Sequence, residues 1–499
     1  MGNGTTIREK AAMEETPSAA LLPTGIPGLD DILRGGLTAG KMYLLSGTPG
    51  TGKTTFSLQF IAEGIRRGER CLYIAVGSGG EDLVALAKAG GIFLDPDLFS
   101  IHAVEISGEK GPEHRVFHPA ETELADAMKD LLAEIRRVNP QRLVMDSLSD
   151  LRLIAEDVTS FRRLILAMRR EFAGGECTVL LTNNIGQSEI DSHMETICHG
   201  VIHLQQVVLG YGPVRRRLLV LKLRGRAYQS GWHDFRIVTG GIRVFPALIA
   251  GQQVWQRKER EAASTGHERL NLLFGGGLNR GTTTAIIGAS GTGKTTLATQ
   301  CVVAAAKRGE SVAVYLFEET EDSFRERAAG MGLAVDEFID NGMVTVHTVD
   351  VSEFSTGEFS AMLLQEVEER DVRTIVIDTL SGYLNAMSDE KYLFAQLHQL
   401  LNHLSHKEVT TFLIVEQHGI FGAQATEGTY VSYLADAILL LRYFEHRGII
   451  RRAMSLVKKR RGAHEMTIRE FALSSEGILI GEPLTEMQGV LTGVPILDV

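Results

Sequence analysis

A nine-residue segment occurs twice in this chain: GTPGTGKTT from Gly47 to Thr55 and GASGTGKTT from Gly288 to Thr296. Each fits the pattern Gly, any four residues, Gly-Lys-Ser/Thr. Such a segment folds as the turn between a buried strand and a helix. Its backbone N–H groups cradle phosphates, its Lys reaches the β and γ phosphates, and its hydroxyl holds Mg²⁺. One candidate ATP site is therefore Gly47, Thr48, Pro49, Gly50, Thr51, Gly52, Lys53, Thr54 and Thr55. The other is Gly288, Ala289, Ser290, Gly291, Thr292, Gly293, Lys294, Thr295 and Thr296. Thr54 and Thr295 are the candidate Mg²⁺ hydroxyls.

The repetition extends upstream. TGIPGLDDILRGGLTAGKMYLLSG, from Thr24, is echoed by TGHERLNLLFGGGLNRGTTTAIIG, from Thr265, at a constant offset of 241 residues that runs through to Lys53 and Lys294. A repeat of this size is a whole domain rather than a solenoid unit. A length of 499 residues suits two domains, each able to bury its own core. Each half alternates apolar strand-like runs with longer helical patterns, which implies an α/β fold built on a mostly parallel sheet. The runs CLYIAV, RLVMDS and TVLLTN in the first half answer to SVAVYLF, TIVIDT and TTFLIVE in the second. The expected organisation is a disordered arm over 1–20, a first domain over 21–249, a polar linker over 250–264, and a second domain over 265–499.

Bulk properties narrow the function. The net charge of −11 argues against a general nucleic-acid binder, which carries a basic excess. Four scattered Cys, with no C-x-x-C pair, read as core residues in a reduced compartment. The amino terminus has no apolar signal-peptide region and no apolar run is long enough to span a bilayer, so the expectation is a cytoplasmic protein with no membrane association.

The two halves differ in their acids. Asp146 and Asp378 each close a buried strand, where a carboxylate can hold Mg²⁺ through its hydration shell. In the second half Glu318 and Glu319 follow SVAVYLF, placed to orient or deprotonate an attacking hydroxyl. Gln417 ends FLIVEQ as a candidate γ-phosphate sensor. The first half has Gly77-Ser78-Gly79-Gly80 instead, its nearest acids being Glu81 and Asp82, which the sequence aligns with Glu321 and Asp322. Asn183-Asn184 aligns with Glu416-Gln417, keeping an amide at that strand end. The first site is thus expected to bind Mg-ATP without the base that hydrolysis needs. Lys222 and Arg224 in LKLRG align with Lys459 and Arg461 in KKRRG. Cations recurring near both domain ends suit fingers reaching a neighbouring subunit's nucleotide.

On the tandem loops, the TG-x4-L…GGL preamble, the acidic pair and the text YLADAILLLRYFEHRGIIRRAMSLVKKRRGAHEMTIREF, the chain resembles the KaiC family, two-domain circadian clock ATPases of the RecA superfamily. The resemblance covers roughly Leu21 to Asp498. It implies RecA-like P-loop domains, a double-ring homohexamer with ATP at subunit interfaces, and serine/threonine autokinase activity in the second domain. The family's adjacent Ser-Thr acceptors fall on TEGTYVSYLAD, where Ser432 matches the Ser and Tyr433 replaces the Thr. Ser432 and Tyr433 are the candidate phosphoacceptors; an ordered two-site cycle is not expected, while one-site phosphorylation on Ser432 is. The chain stops soon after GVLTGVP, so the tail that recruits a KaiA-type partner is expected to be absent, while a KaiB-like partner on the first ring remains compatible. Two other readings stay open: a RecA/RadA-like DNA-associated ATPase, and a nucleotide-dependent scaffold without kinase activity.

Overall fold

A computed structural model describes residues 20–77, 79–104, 119–154, 158–172, 175–185, 194–208, 213–248, 261–350, 354–386, 393–417, 428–492 and 496–497. They fall into two compact units, one reaching Ala247 and the other starting at Leu248. Most of the arm and the linker lies outside the described residues. Ala262–Ala263, assigned to the linker above, is instead a short strand paired antiparallel with Leu278–Asn279, so the second domain begins earlier than its composition suggests.

Each unit carries a nine-stranded sheet of the same order. In the first, the strands run from edge to edge as Phe99–Val104, Cys71–Val76, Arg142–Asp146, Thr178–Asn184, Met42–Gly47, Gly200–Val207, Arg215–Leu223, Trp232–Val238 and Gly241–Phe245. The first six pair in parallel and the last three are antiparallel. In the second, the order is Val344–Thr348, Ser311–Leu316, Val372–Asp378, Thr410–Glu416, Thr283–Gly288, Ala437–His446, Ile449–Lys459, Arg469–Ser474 and Gly477–Pro483. The central strands are continuous apolar runs because helices cover both faces; every residue of Cys71–Val76 is buried. Pleating divides each strand between two cores. Tyr43 and Leu45 join Phe56 and Ile61 on one face, while Met42 and Leu44 join Leu131 and Ile165 on the other. Parallel pairing brings all these strands' carboxyl ends to one edge, where both phosphate-binding segments emerge.

In the first domain a buried cation anchors the phosphate-loop helix Lys53–Arg66. Arg142 is fully buried, pairs with Glu69 at 2.6 Å, donates to the carbonyls of Pro23 and Phe60 at 3.0 Å, and lies over the Phe60 ring at 4.7 Å. Gly64 makes room for it: a Cβ there would meet Arg142 Cδ at 2.6 Å. Arg142→Ala would leave Glu69 and two carbonyls without their donor. The expected cost is about 3–5 kcal/mol, read as a lower urea midpoint for the first domain; an unchanged midpoint contradicts this role.

Candidate functional site

The two phosphate-binding loops have closely similar geometry. Gly52 and Gly293 precede their helices with φ of 101° and 102°, in the left-handed region that only glycine adopts freely. A Cβ at either would meet Ile237 Cδ1 or Leu473 Cδ1 at 2.8 Å, so a side chain there would have to displace these groups as well as strain the backbone. Thr51 and Thr292 donate back to the carbonyls of Thr48 and Ala289 at 2.8 and 2.7 Å, tightening each turn. Each loop opens a 14-residue helix whose first turn offers free N–H groups and the positive end of the helix dipole. Lys53 Nζ donates to the carbonyls of Gly47 and Thr48, and Lys294 Nζ to that of Ala289, all at 2.9 Å.

The carboxylates expected at the strand ends meet the loop hydroxyls. Thr54 Oγ1 donates to Asp146 Oδ2 at 3.0 Å, and Thr295 hydrogen-bonds Asp378. Asp378 is 5% exposed and its Oδ2 is buried without a hydrogen-bond partner. An orphaned carboxylate oxygen beside a threonine hydroxyl suits the water shell of a Mg²⁺ ion. Among the described residues no group of three or more His, Cys, Asp or Glu could hold a metal directly.

In the second domain these groups share a cleft of about 420 Å³. Glu318 and Glu319 both line it, but they are held differently. Glu318 accepts from Thr379 Oγ1 at 2.8 Å, whereas Glu319 pairs with Arg327 of helix Glu321–Gly330. Burial pushes the Glu319 carboxyl up, Arg327 pulls it down, and Asp378 adds to the rise. Burial also pushes both loop lysines down. Asp146 alone opposes this at Lys53; Glu416, Asp378 and Glu318 oppose it at Lys294. Arg327, Thr379, Glu416 and Arg452 line the cleft too and were not foreseen. Glu416, adjacent to Gln417, was the legible one; Arg327 reaches the site only because its helix folds back over the strand end. Gln417 follows the strand end and does not line this cleft; its Oε1 is buried and without a partner.

Sheet register corrects three alignments made above. Gly47 pairs with Asn184 and Gly288 with Glu416, while Ile185 and Gln417 donate to those glycine carbonyls. Asn184 therefore answers to Glu416, and Ile185, not an amide, answers to Gln417. Ala75 pairs with Asp146 as Leu316 does with Asp378, which puts Gly77 at the position of Glu318. Ser78 lies outside the described residues. The following helices begin at Gly80 and Glu321, so Glu81 answers to Asp322, one place further on than the sequence suggested.

The third correction concerns the cations. Val201 pairs with Lys222 and Ile438 with Lys458, so the counterparts of Lys222 and Arg224 are Lys458 and Arg460, not Lys459 and Arg461. The contacts agree. Lys222 and Arg224 donate to the carbonyls of Glu195 and Thr196; Lys458 and Arg460 donate to those of Ser432 and Tyr433. Lys459 donates to a different carbonyl, that of Phe274. Sequence alignment on the final glycine slipped because the second domain has one extra Arg before it.

Ser432 and Tyr433 lie on the helix Gly428–Leu434. Ser432 is partly exposed and does not line the cleft of its own chain. Tyr433 is 57% exposed, with its ring stacked on His398 at 4.3 Å. Of the segment GVLTGVP, Gly493–Pro495 lies outside the described residues.

With this geometry in place, comparison with known proteins is informative. The profile of the KaiC ATPase family matches residues 22–249 and again 263–485. The chain is 26% identical to circadian clock protein KaiC3 of Synechocystis sp. (strain ATCC 27184 / PCC 6803 / Kazusa), over 97% of this chain and 96% of that one. It is 27% identical to circadian clock oscillator protein KaiC of Synechococcus elongatus (strain ATCC 33912 / PCC 7942 / FACHB-805), over 96% and 93%. A third relative, the oscillator protein KaiC of Parasynechococcus marenigrum (strain WH8102), is 26% identical over 95% and 93%. Two matches at the two phosphate-binding folds account for most of the chain: it belongs to the KaiC family of ATPases, in the tandem two-domain form.

Proposed function

We propose that this chain is a Mg²⁺-dependent ATPase and serine autokinase that works as a ring, with chemistry in the second domain and nucleotide-driven assembly in the first. The observation that carries this reading is the unequal supply of acids around two equal loops. Glu318, Glu319 and Glu416 surround Lys294 in the second cleft, whereas Gly77 and Asn184 occupy two of those positions in the first. A phosphoryl-transfer site without a base to activate the attacking group still binds ATP; it turns over slowly.

Within the pair, Glu318 is the better base. Glu319 is committed to Arg327, so its lone pairs and charge are already engaged, while Glu318 holds only a neutral threonine donor and lies within electrostatic reach of Lys294. Thr295 and Asp378 are the residues that would hold Mg²⁺, which supplies charge neutralisation on the phosphates when bound. Lys294 would hold the β and γ phosphates, and Gln417 would report the γ-phosphate by donating from its side-chain amide NH₂.

Ser432 is the proposed acceptor. It does not line the cleft of its own chain, which suits transfer from the ATP of a neighbouring subunit in a homohexamer. Lys222 with Arg224, and Lys458 with Arg460, are the proposed fingers, each pair at the end of the antiparallel hairpin of its domain. The relatives are named as clock proteins, and this chain is read as a KaiC-like signalling or clock-related switch. Tyr433 in place of a second acceptor simplifies that switch to one phosphate per subunit, and a KaiB-like partner remains its most compatible ligand.

Glu318→Gln should lower ATP turnover by roughly 10²–10⁴-fold with nucleotide binding intact, and Glu319→Gln should lower it less; turnover that survives Glu318→Gln refutes the assignment. Incubation with ATP and Mg²⁺ followed by mass spectrometry should place phosphate on Ser432. Phosphate nowhere on residues 426–433 would remove the kinase part. Lys53→Ala should impair assembly, seen by light scattering, more than second-domain turnover, and Lys294→Ala the reverse; equal loss of turnover with normal assembly in both contradicts the division of labour.

A further inference from the structure

The two strand-ending aspartates occupy equivalent places, yet their oxygens are spoken for differently. In the first domain Asp146 Oδ2 accepts from Thr54 Oγ1 at 3.0 Å and from the phenol of Tyr73 at 2.6 Å, while Oδ1 accepts from Thr182 Oγ1. Tyr73 and Thr182 are both fully buried. Both stand two residues before positions fixed by register, Tyr73 before Ala75 and Thr182 before Asn184. The second-domain counterparts stand two residues before Leu316 and Glu416, and they are Val314 and Ile414, buried and wholly apolar. There Asp378 keeps its hydrogen bond with Thr295, and Oδ2 has no partner.

The Tyr73 phenol lies 2.6 Å from Asp146 Oδ2 and donates its O–H to it. A charge-assisted bond of this kind is among the stronger ones in a protein interior. A carboxylate that holds a cation through water must accept hydrogen bonds from that cation's water shell. At Asp378 an oxygen is available for this. At Asp146 a buried phenol and a buried hydroxyl each take an acceptor position, one on either oxygen, leaving fewer for such a shell.

We propose that Tyr73 and Thr182 occupy the Asp146 carboxylate so that the first site holds nucleotide with little dependence on Mg²⁺, while the second site depends on it strongly. This rests on the reading that both loops bind ATP. It gives the first site a property suited to assembly: nucleotide retained without the cation that transfer chemistry requires. Thr182 and Tyr73 act here as positioning residues on Asp146, not as groups that touch the phosphates.

The test is equilibrium binding, with no turnover measured. Full-length Lys294→Ala reports the first site and full-length Lys53→Ala the second, each titrated with a methylanthraniloyl ATP analogue in Mg²⁺ or in EDTA. The first site should lose less than about threefold in affinity on Mg²⁺ removal and the second more than about tenfold, one good hydrogen bond's worth of difference. Adding Tyr73→Phe and Thr182→Val to the Lys294→Ala chain should restore a dependence of about tenfold. Equal loss at both sites overturns the proposal, and needs no new variant to fold. A Tyr73→Phe, Thr182→Val chain that binds analogue but shows no gain in Mg²⁺ dependence also overturns it. A Lys294→Ala chain that binds no analogue in either condition removes the inference together with the reading beneath it.

Discussion

The hydrogen bond from a loop threonine to a strand-ending aspartate joins positions 92 residues apart at Thr54 and Asp146, and everything at the nucleotide edge is arranged around it. It forms because the parallel sheet places the carboxyl ends of neighbouring strands side by side, so a loop leaving one strand meets a carboxylate ending another two strands away. The loop contributes N–H groups and a helix dipole; the strand end contributes negative charge. Neither element holds a magnesium-bound triphosphate by itself. Arg142 serves the same geometry from below, tying the loop helix to the strand that carries Asp146.

Internal duplication lets each domain serve as the other's reference. With the loop glycines at nearly the same φ, the two sites differ chiefly in what surrounds the loops. The second cleft concentrates acids against one buried lysine, an arrangement that is costly unless a ligand's cation and phosphates balance it. The first site replaces acids by Gly77 and Asn184 and satisfies its remaining carboxylate with protein donors.

The tandem α/β fold was legible because phosphate-binding loops constrain backbone locally, through glycines at positive φ and an invariant order of strand, loop and helix. Asp146, Asp378, Glu318 and Glu319 were legible because each follows a buried apolar run, and a charge at such a point has one natural place to be. Alignment of the two halves beyond those landmarks was less secure. Asn184 against Glu416, Glu81 against Asp322, and Lys458 against Lys222 each came out one residue away from the sequence alignment. Connecting segments between strands differ in length between the halves, and hydrogen-bond register, not residue identity, decides which side chains are equivalent.

The chain's order of residues alone therefore determined two nucleotide-binding folds, their repeat, and the loss of the acidic pair from the first, since these are properties of contiguous text. Tertiary structure decided which distant side chains meet. Arg327 neutralising Glu319, Thr379 holding Glu318, Lys458 and Arg460 gripping the Ser432 segment, and Tyr73 with Thr182 closing on Asp146 all depend on strand register and helix placement. A tyrosine inside CLYIAV reads as one more buried residue of a core strand. Only pleating, which sets its phenol on the same face as a neighbouring strand's carboxylate two residues further along, turns it into a partner of Asp146.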